Sequence, residues 1–114
     1  MSATLLALAS QAYTASGVSN NVSVAQLTEL ELNLVVTAVS GTTPSMTIFV
    51  EGQDDEGNWF TLYSPAAITA TGDTEQSIGP ALQTDVVVPP VVRLRWAITG
   101  TTPSFTFTAS LIGR

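Results

Sequence analysis

Ser40-Gly41-Thr42-Thr43-Pro44-Ser45-Met46-Thr47-Ile48-Phe49 returns 59 residues later as Thr99-Gly100-Thr101-Thr102-Pro103-Ser104-Phe105-Thr106-Phe107-Thr108. The shared string is Gly-Thr-Thr-Pro-Ser, followed in each copy by an alternating apolar run. Glycine permits a positive φ at the turn, proline fixes φ, and the threonine hydroxyls can bond to nearby backbone groups. The echo therefore predicts two β-hairpins with the same connection, one in each of two related halves. A ligand-binding loop is the rival reading of Gly-Thr-Thr-Pro. The identical flanks of the two copies favour architecture.

Outward from these strings the apolar period is two, the period of a pleated strand. Leu30, Leu32, Leu34, Val36 and Ala38 share one face. Glu29, Glu31, Asn33 and Thr37 take the other, with Val35 and Val39 interrupting the polarity. Val92, Leu94, Trp96 and Ile98 alternate with Arg93, Arg95 and Ala97. Phe105, Phe107, Ala109 and Leu111 alternate with Thr106, Thr108 and Ser110. Shorter strands are expected at Met46–Val50, Trp59–Tyr63, Ile68–Thr71 and Glu75–Ile78, with edge strands at Leu5–Leu8 and Gln11–Ala15. Val24–Leu30 is the best place for a helix, and it amounts to one short turn. Glycines and prolines recur between these runs, as in a sandwich or barrel. The expected fold is all-β, a single-domain antiparallel β-sandwich, jelly-roll-like, with about seven to nine strands. Residues 1–24 form an N-terminal arm or edge strands, and residues 25–114 form the sandwich with its two Gly-Thr-Thr-Pro-Ser hairpins.

Composition narrows the chemistry. The 114 residues include no Cys, no His and no Lys, and the three bases are Arg93, Arg95 and Arg114. No thiol nucleophile, thiolate metal site or disulfide can form. A Ser-His-Asp triad within one chain is excluded, as are a Schiff base and a P-loop lysine. The net charge of -6 opposes binding to nucleic-acid phosphates. No apolar run approaches the roughly 20 residues that a membrane-spanning helix needs. The N-terminus has no basic segment of the kind that opens a signal peptide. Charged residues supply 11% of the chain, against roughly 25% in an ordinary soluble protein. Ser and Thr together supply 28 positions, so a neutral, hydroxyl-rich surface is expected.

Five residues stand out as candidate partner contacts: Arg93, Arg95, Arg114, Trp59 and Tyr63. Arg93 and Arg95 share one strand face. They either pair cross-strand with Glu29 and Glu31 or anchor an acidic patch on a partner. Arg114 ends the last strand, either as a tail that reaches a neighbour or as a frayed end. Trp59 and Tyr63 share a face by alternation and suit a sugar-stacking platform, whereas Trp96 is in phase with the core. The acidic cluster Glu51-Gly52-Gln53-Asp54-Asp55-Glu56-Gly57-Asn58, with Asp54-Asp55-Glu56 at its centre, offers oxygen ligands for Ca²⁺, but it lacks the ligand spacing of an EF-hand. A solvated loop tip explains the cluster better. No two carboxylates are placed as a dyad, and no enzymatic activity or cofactor is expected.

The run from Val39 through Gly41-Thr42-Thr43-Pro44-Ser45 to Val50-Glu51-Gly52, Asp54-Asp55 and Asn58-Trp59 resembles small β-sandwich proteins from the virions of tailed bacteriophages. Arg93-Leu94-Arg95-Trp96-Ala97-Ile98-Thr99-Gly100-Thr101-Thr102-Pro103-Ser104-Phe105-Thr106-Phe107 is similar to a second element of the same proteins. The resemblance runs from about Leu30 to Arg114 and consists of strand patterns, not catalytic residues. It implies a head decoration (cement) protein that stabilises the capsid between subunits of the major capsid protein. It also implies a homo-oligomer, a trimer on a local threefold axis, made in the host bacterial cytoplasm and carried on the capsid surface. A tail or head-tail connector component is the alternative within the virion. A carbohydrate-binding module is the alternative outside it.

Overall fold

The period-two alternation yields an all-β, antiparallel domain. The computed structural model describes residues 3–24 and 27–114. Seven strands follow in order: β1 (Ala3–Tyr13), β2 (Gly17–Val18), β3 (Val22–Ser23), β4 (Leu30–Gln53), β5 (Trp59–Tyr63), β6 (Gly72–Ile78) and β7 (Val91–Gly113). Every strand pairing among them is antiparallel. Among the described residues no helix is long and apolar enough to cross a membrane. The expected turn at Val24–Leu30 includes Ala25 and Gln26, which lie outside the described residues, as do Met1 and Ser2 of the N-terminal arm. At its edges, Leu27 N–H donates to Val24 O at 2.9 Å. Ile68–Thr71 is not a strand. It contributes a single bridge in which Ile68 exchanges two hydrogen bonds with Met46, of 2.7 and 2.9 Å.

The two Gly-Thr-Thr-Pro-Ser strings are not hairpin turns. Each bends a long strand without reversing it. β4 runs on through Gly41–Pro44, β7 runs on through Gly100–Pro103, and the two bends face each other. Ser40 pairs with Ser104, Thr42 with Thr101, and Ser45 with Thr99. The physical reason lies in the dihedral angles. Gly41 and Gly100 have φ of 113° and 124°, and Thr43 and Thr102 have φ of 48° and 46°. Two left-handed residues separated by one other residue redirect a strand but do not return it alongside itself. The threonine hydroxyls cap the bend, since Thr43 Oγ1 donates to Thr42 O and Thr102 Oγ1 to Thr101 O, each at 2.8 Å.

The repeat thus marks a local twofold axis. Moving each partner on by one repeat turns the Ser40–Ser104 pair into the Thr99–Ser45 pair and exchanges Thr42 with Thr101. A bulge between Val36 and Ala38 interrupts this symmetry by one residue. Beyond it, Leu32, Leu34 and Val36 correspond to Val92, Leu94 and Trp96.

The bends divide the sheet into halves. One contains β6, Leu30–Ser40, Ser104–Gly113 and β1. The other contains β5, Ser45–Gln53, Val91–Thr99, and β2 with β3. Their inner faces form one core, so the two layers of the sandwich are parts of one hydrogen-bonded sheet. Leu32, Leu34, Met46, Ile48, Val50, Leu94, Phe105 and Phe107 are fully buried there. Each such side chain contributes about 1.5–3 kcal/mol. At the seam, Trp96 from one half meets Phe107 from the other edge-on, with ring centroids 6.3 Å apart, and Tyr13 stacks on Phe107 at 4.2 Å. Trp96 Nε1–H donates to Ala15 O at 3.2 Å.

Candidate functional site

Alternation that buries Ile48, Val50, Leu94 and Trp96 sends Phe49, Glu51, Arg93 and Arg95 to the outer face of the second half. The register places Arg95 opposite Phe49 and Arg93 opposite Glu51. Glu51 is 5% exposed, and both its carboxylate oxygens are engaged. Oε1 accepts from Arg93 Nε and Oε2 from Arg95 Nε, each at 2.9 Å. The two guanidiniums also lie on aromatic rings. Arg93 Cζ sits 3.9 Å from the Trp59 ring centroid, and Arg95 Cζ sits 3.9 Å from that of Phe49. A row of Trp59, Arg93, Glu51, Arg95 and Phe49 results, with a net charge of one positive unit. Ring faces attract the cations, and the planar guanidinium stacks where an ammonium could not.

Glu29 and Glu31 are not the partners of this pair, contrary to one of the two sequence expectations. They belong to the first half, where Glu31 faces Ile112 and accepts a 3.1 Å hydrogen bond from Asn33 Nδ2. Glu51 was missed because its surroundings read as part of the acidic stretch that follows. Only the register, which pairs Ser45 with Thr99, puts Glu51 opposite Arg93.

Arg114 is neither a free tail nor a frayed end. Its N–H donates to Glu29 O at 3.0 Å, and its carbonyl accepts from Thr28 N and Glu29 N, each at 3.1 Å. Its guanidinium pairs with Glu29 Oε1. The hydrogen bond to Glu29, then the Glu29 charge, raise the Arg114 pKa further above its ordinary value. Among the described residues, the three ion pairs use all three arginines of the chain.

Trp59 and Tyr63 do not share a face. A register shift between Val50 and Glu51 puts Tyr63 opposite Val50, on the core side, while Trp59 stays opposite Gln53. Tyr63 packs against the core. With Arg93 lying on the Trp59 ring, no two-ring sugar platform forms from these residues. The acidic cluster is the tip between β4 and β5. Asp54 Oδ1 accepts from Glu56 N and Asn58 N, each at 2.9 Å. The Asn58 backbone bond is the largest influence holding the Asp54 carboxyl below its ordinary pKa. Its lone pairs stabilise the turn. No group of three or more metal-ligating side chains converges among the described residues.

No protein-family model and no curated protein matches the chain. Among solved structures, the chain is similar to the one titled crystal structure of SPBc2 prophage-derived protein YomS. The identity is 15% and the TM-score 0.47, with 98% of this chain and 91% of that chain covered.

Proposed function

We propose that the protein is a structural component of a tailed-phage virion, a capsid decoration protein that binds between subunits of the major capsid protein. The observation that carries this reading is the row Trp59–Arg93–Glu51–Arg95–Phe49. Trp and Arg are the residues most enriched at the energetic centres of protein interfaces. Here their side chains are already held, by a nearly buried carboxylate and by stacking, so docking costs little further rotamer entropy. Arg95 keeps 36% of its side chain exposed and Arg93 keeps 19%, which leaves donors for an acidic or carbonyl-rich surface. The charge-poor, hydroxyl-rich surroundings suit close packing on a protein lattice. The resemblance in the Gly-Thr-Thr-Pro-Ser elements supplies the phage context.

Purified protein mixed with expanded, undecorated phage heads should saturate them at a fixed stoichiometry in a sedimentation assay. Arg95→Ala should weaken that binding by tenfold or more, about 1.4 kcal/mol. Absence of binding to heads refutes the proposal.

A further inference from the structure

No charged side chain occurs before Glu29. Strands β1, β2 and β3 come from this uncharged stretch, and all three pair with the same strand, β7. On its other side β7 pairs with β4. One flank of the sheet, spanning both halves, therefore carries no charge. The opposite flank carries Asp73 and Glu75 on β6, and Asp54, Asp55 and Glu56 at the tip beside β5.

β1 is 11 residues long and borders this neutral flank. Exposed edges are usually guarded by charge, proline, shortness or bulges. β6 has its acids, β5 is flanked by the acidic Asp54-Asp55-Glu56 tip, and β2 and β3 have two residues each. β1 has neither charge nor proline. Its two register shifts fall between Thr4 and Leu6 and between Leu8 and Gln11, leaving Leu6–Leu8 regular at the centre. Leu5, Leu6 and Leu8 are only partly buried against the core, and on the same flank, in the other half, Val18 is 51% exposed.

Charge placement selects the occupant. A basic partner gains nothing from a neutral flank and would prefer the acidic one. A second copy, carrying the same charge of -6, meets no acidic side chain on this flank, whereas the opposite flank would set its own acids against their copies. The molecule measures 42 × 29 × 22 Å, so two copies joined at this flank hold their acidic flanks apart by more than the roughly 8 Å screening length. We propose that β1 is a homotypic docking edge. Two copies pair β1 with β1, antiparallel across a twofold axis, and together cover the half-buried leucines. Such a contact closes on itself as a dimer. It departs from the threefold arrangement that the resemblance implies, and it stands apart from the decoration reading.

The test is sedimentation equilibrium of the full chain over a dilution series, with hydrogen exchange at both ends of the series. The wild type should be a dimer at high concentration, and the Leu6–Leu8 amides should lose protection on dilution. Ala7→Lys places a charge on an exposed β1 position and lowers the net repulsion, yet it should raise the dissociation constant by tenfold or more. Phe60→Lys makes the same charge change on the β5 edge and should leave the dimer intact. A wild type that is monomeric or trimeric throughout overturns the proposal. So does an Ala7→Lys protein that dissociates no more readily than Phe60→Lys.

Discussion

Gly41 and Gly100 each occupy the space that the other's bend leaves open. A Cβ on Gly41 would lie 2.7 Å from Thr102 O, and one on Gly100 would lie 2.9 Å from Thr43 O. Both also have positive φ, where L side chains are strained. Gly41→Ala and Gly100→Ala should each destabilise the protein by about 1–3 kcal/mol. The twofold relation between the bends makes the two losses similar. Urea unfolding of the two single variants measures this, and a loss confined to one of them would show that the bends are not equivalent.

Glu51→Gln should cost more than either Arg93→Ala or Arg95→Ala. Removing the carboxylate leaves two cations on one strand face with no counter-charge, whereas removing one arginine leaves an ion pair behind. Partial exposure of the arginines limits the loss to about 1–3 kcal/mol, below the figure for a fully buried pair. A double-mutant cycle on Glu51 and Arg93, followed by denaturant unfolding, should show non-additive losses.

The Asp54 carboxyl should titrate below 3.8, its ordinary value, in a carbon-detected NMR titration. Its pKa is lower in the folded chain, so its contribution to stability is complete above the unfolded value. That contribution is lost as the pH falls through the folded one. The Glu56 and Asn58 amides should report the loss of their bonds to Oδ1 in the same acidic window. A midpoint at or above 3.8 would contradict the hydrogen-bonding shown for this turn.

Arg114→Ala and deletion of Arg114 should differ. The exposed side-chain pair with Glu29 is screened by solvent and should contribute little to stability. Deletion also removes the backbone bonds to Thr28 and Glu29, each worth about 0.5–1.5 kcal/mol. Hydrogen exchange at the Thr28 and Glu29 amides should rise sharply in the deletion and little in Arg114→Ala.

Strand identity was written in the side chains. Leu30 to Val36, Val92 to Ile98 and Phe105 to Leu111 alternate in the phase that the core later shows, because burial on one face forces that pattern. The bends were misread for a physical reason. Gly-Thr-Thr-Pro satisfies the local demands of a turn, and only the pairing of Ser40 with Ser104 distinguishes a kink from a reversal. That pairing is non-local and leaves no mark within the string itself. Arg93, Arg95 and Trp59 were legible by type as candidate contacts, while the Glu51 and Phe49 that hold the arginines required the register. Tyr63 was misplaced by one bulge, since a single extra residue exchanges the two faces of a strand.

The pairing of Leu30 with Gly113 also governs when this chain can fold. β7 is the neighbour of β1, β2, β3 and β4. While the chain is being synthesised, those four strands wait for Val91–Gly113 to emerge before any of them meets that shared partner. Contacts of such long sequence separation form slowly. The apolar faces of β1 and β4 are uncovered in the meantime, with only β5 and β6 available to β4. Pairing on β7 is therefore a late step, taken after β4 has had only β5 and β6 as partners.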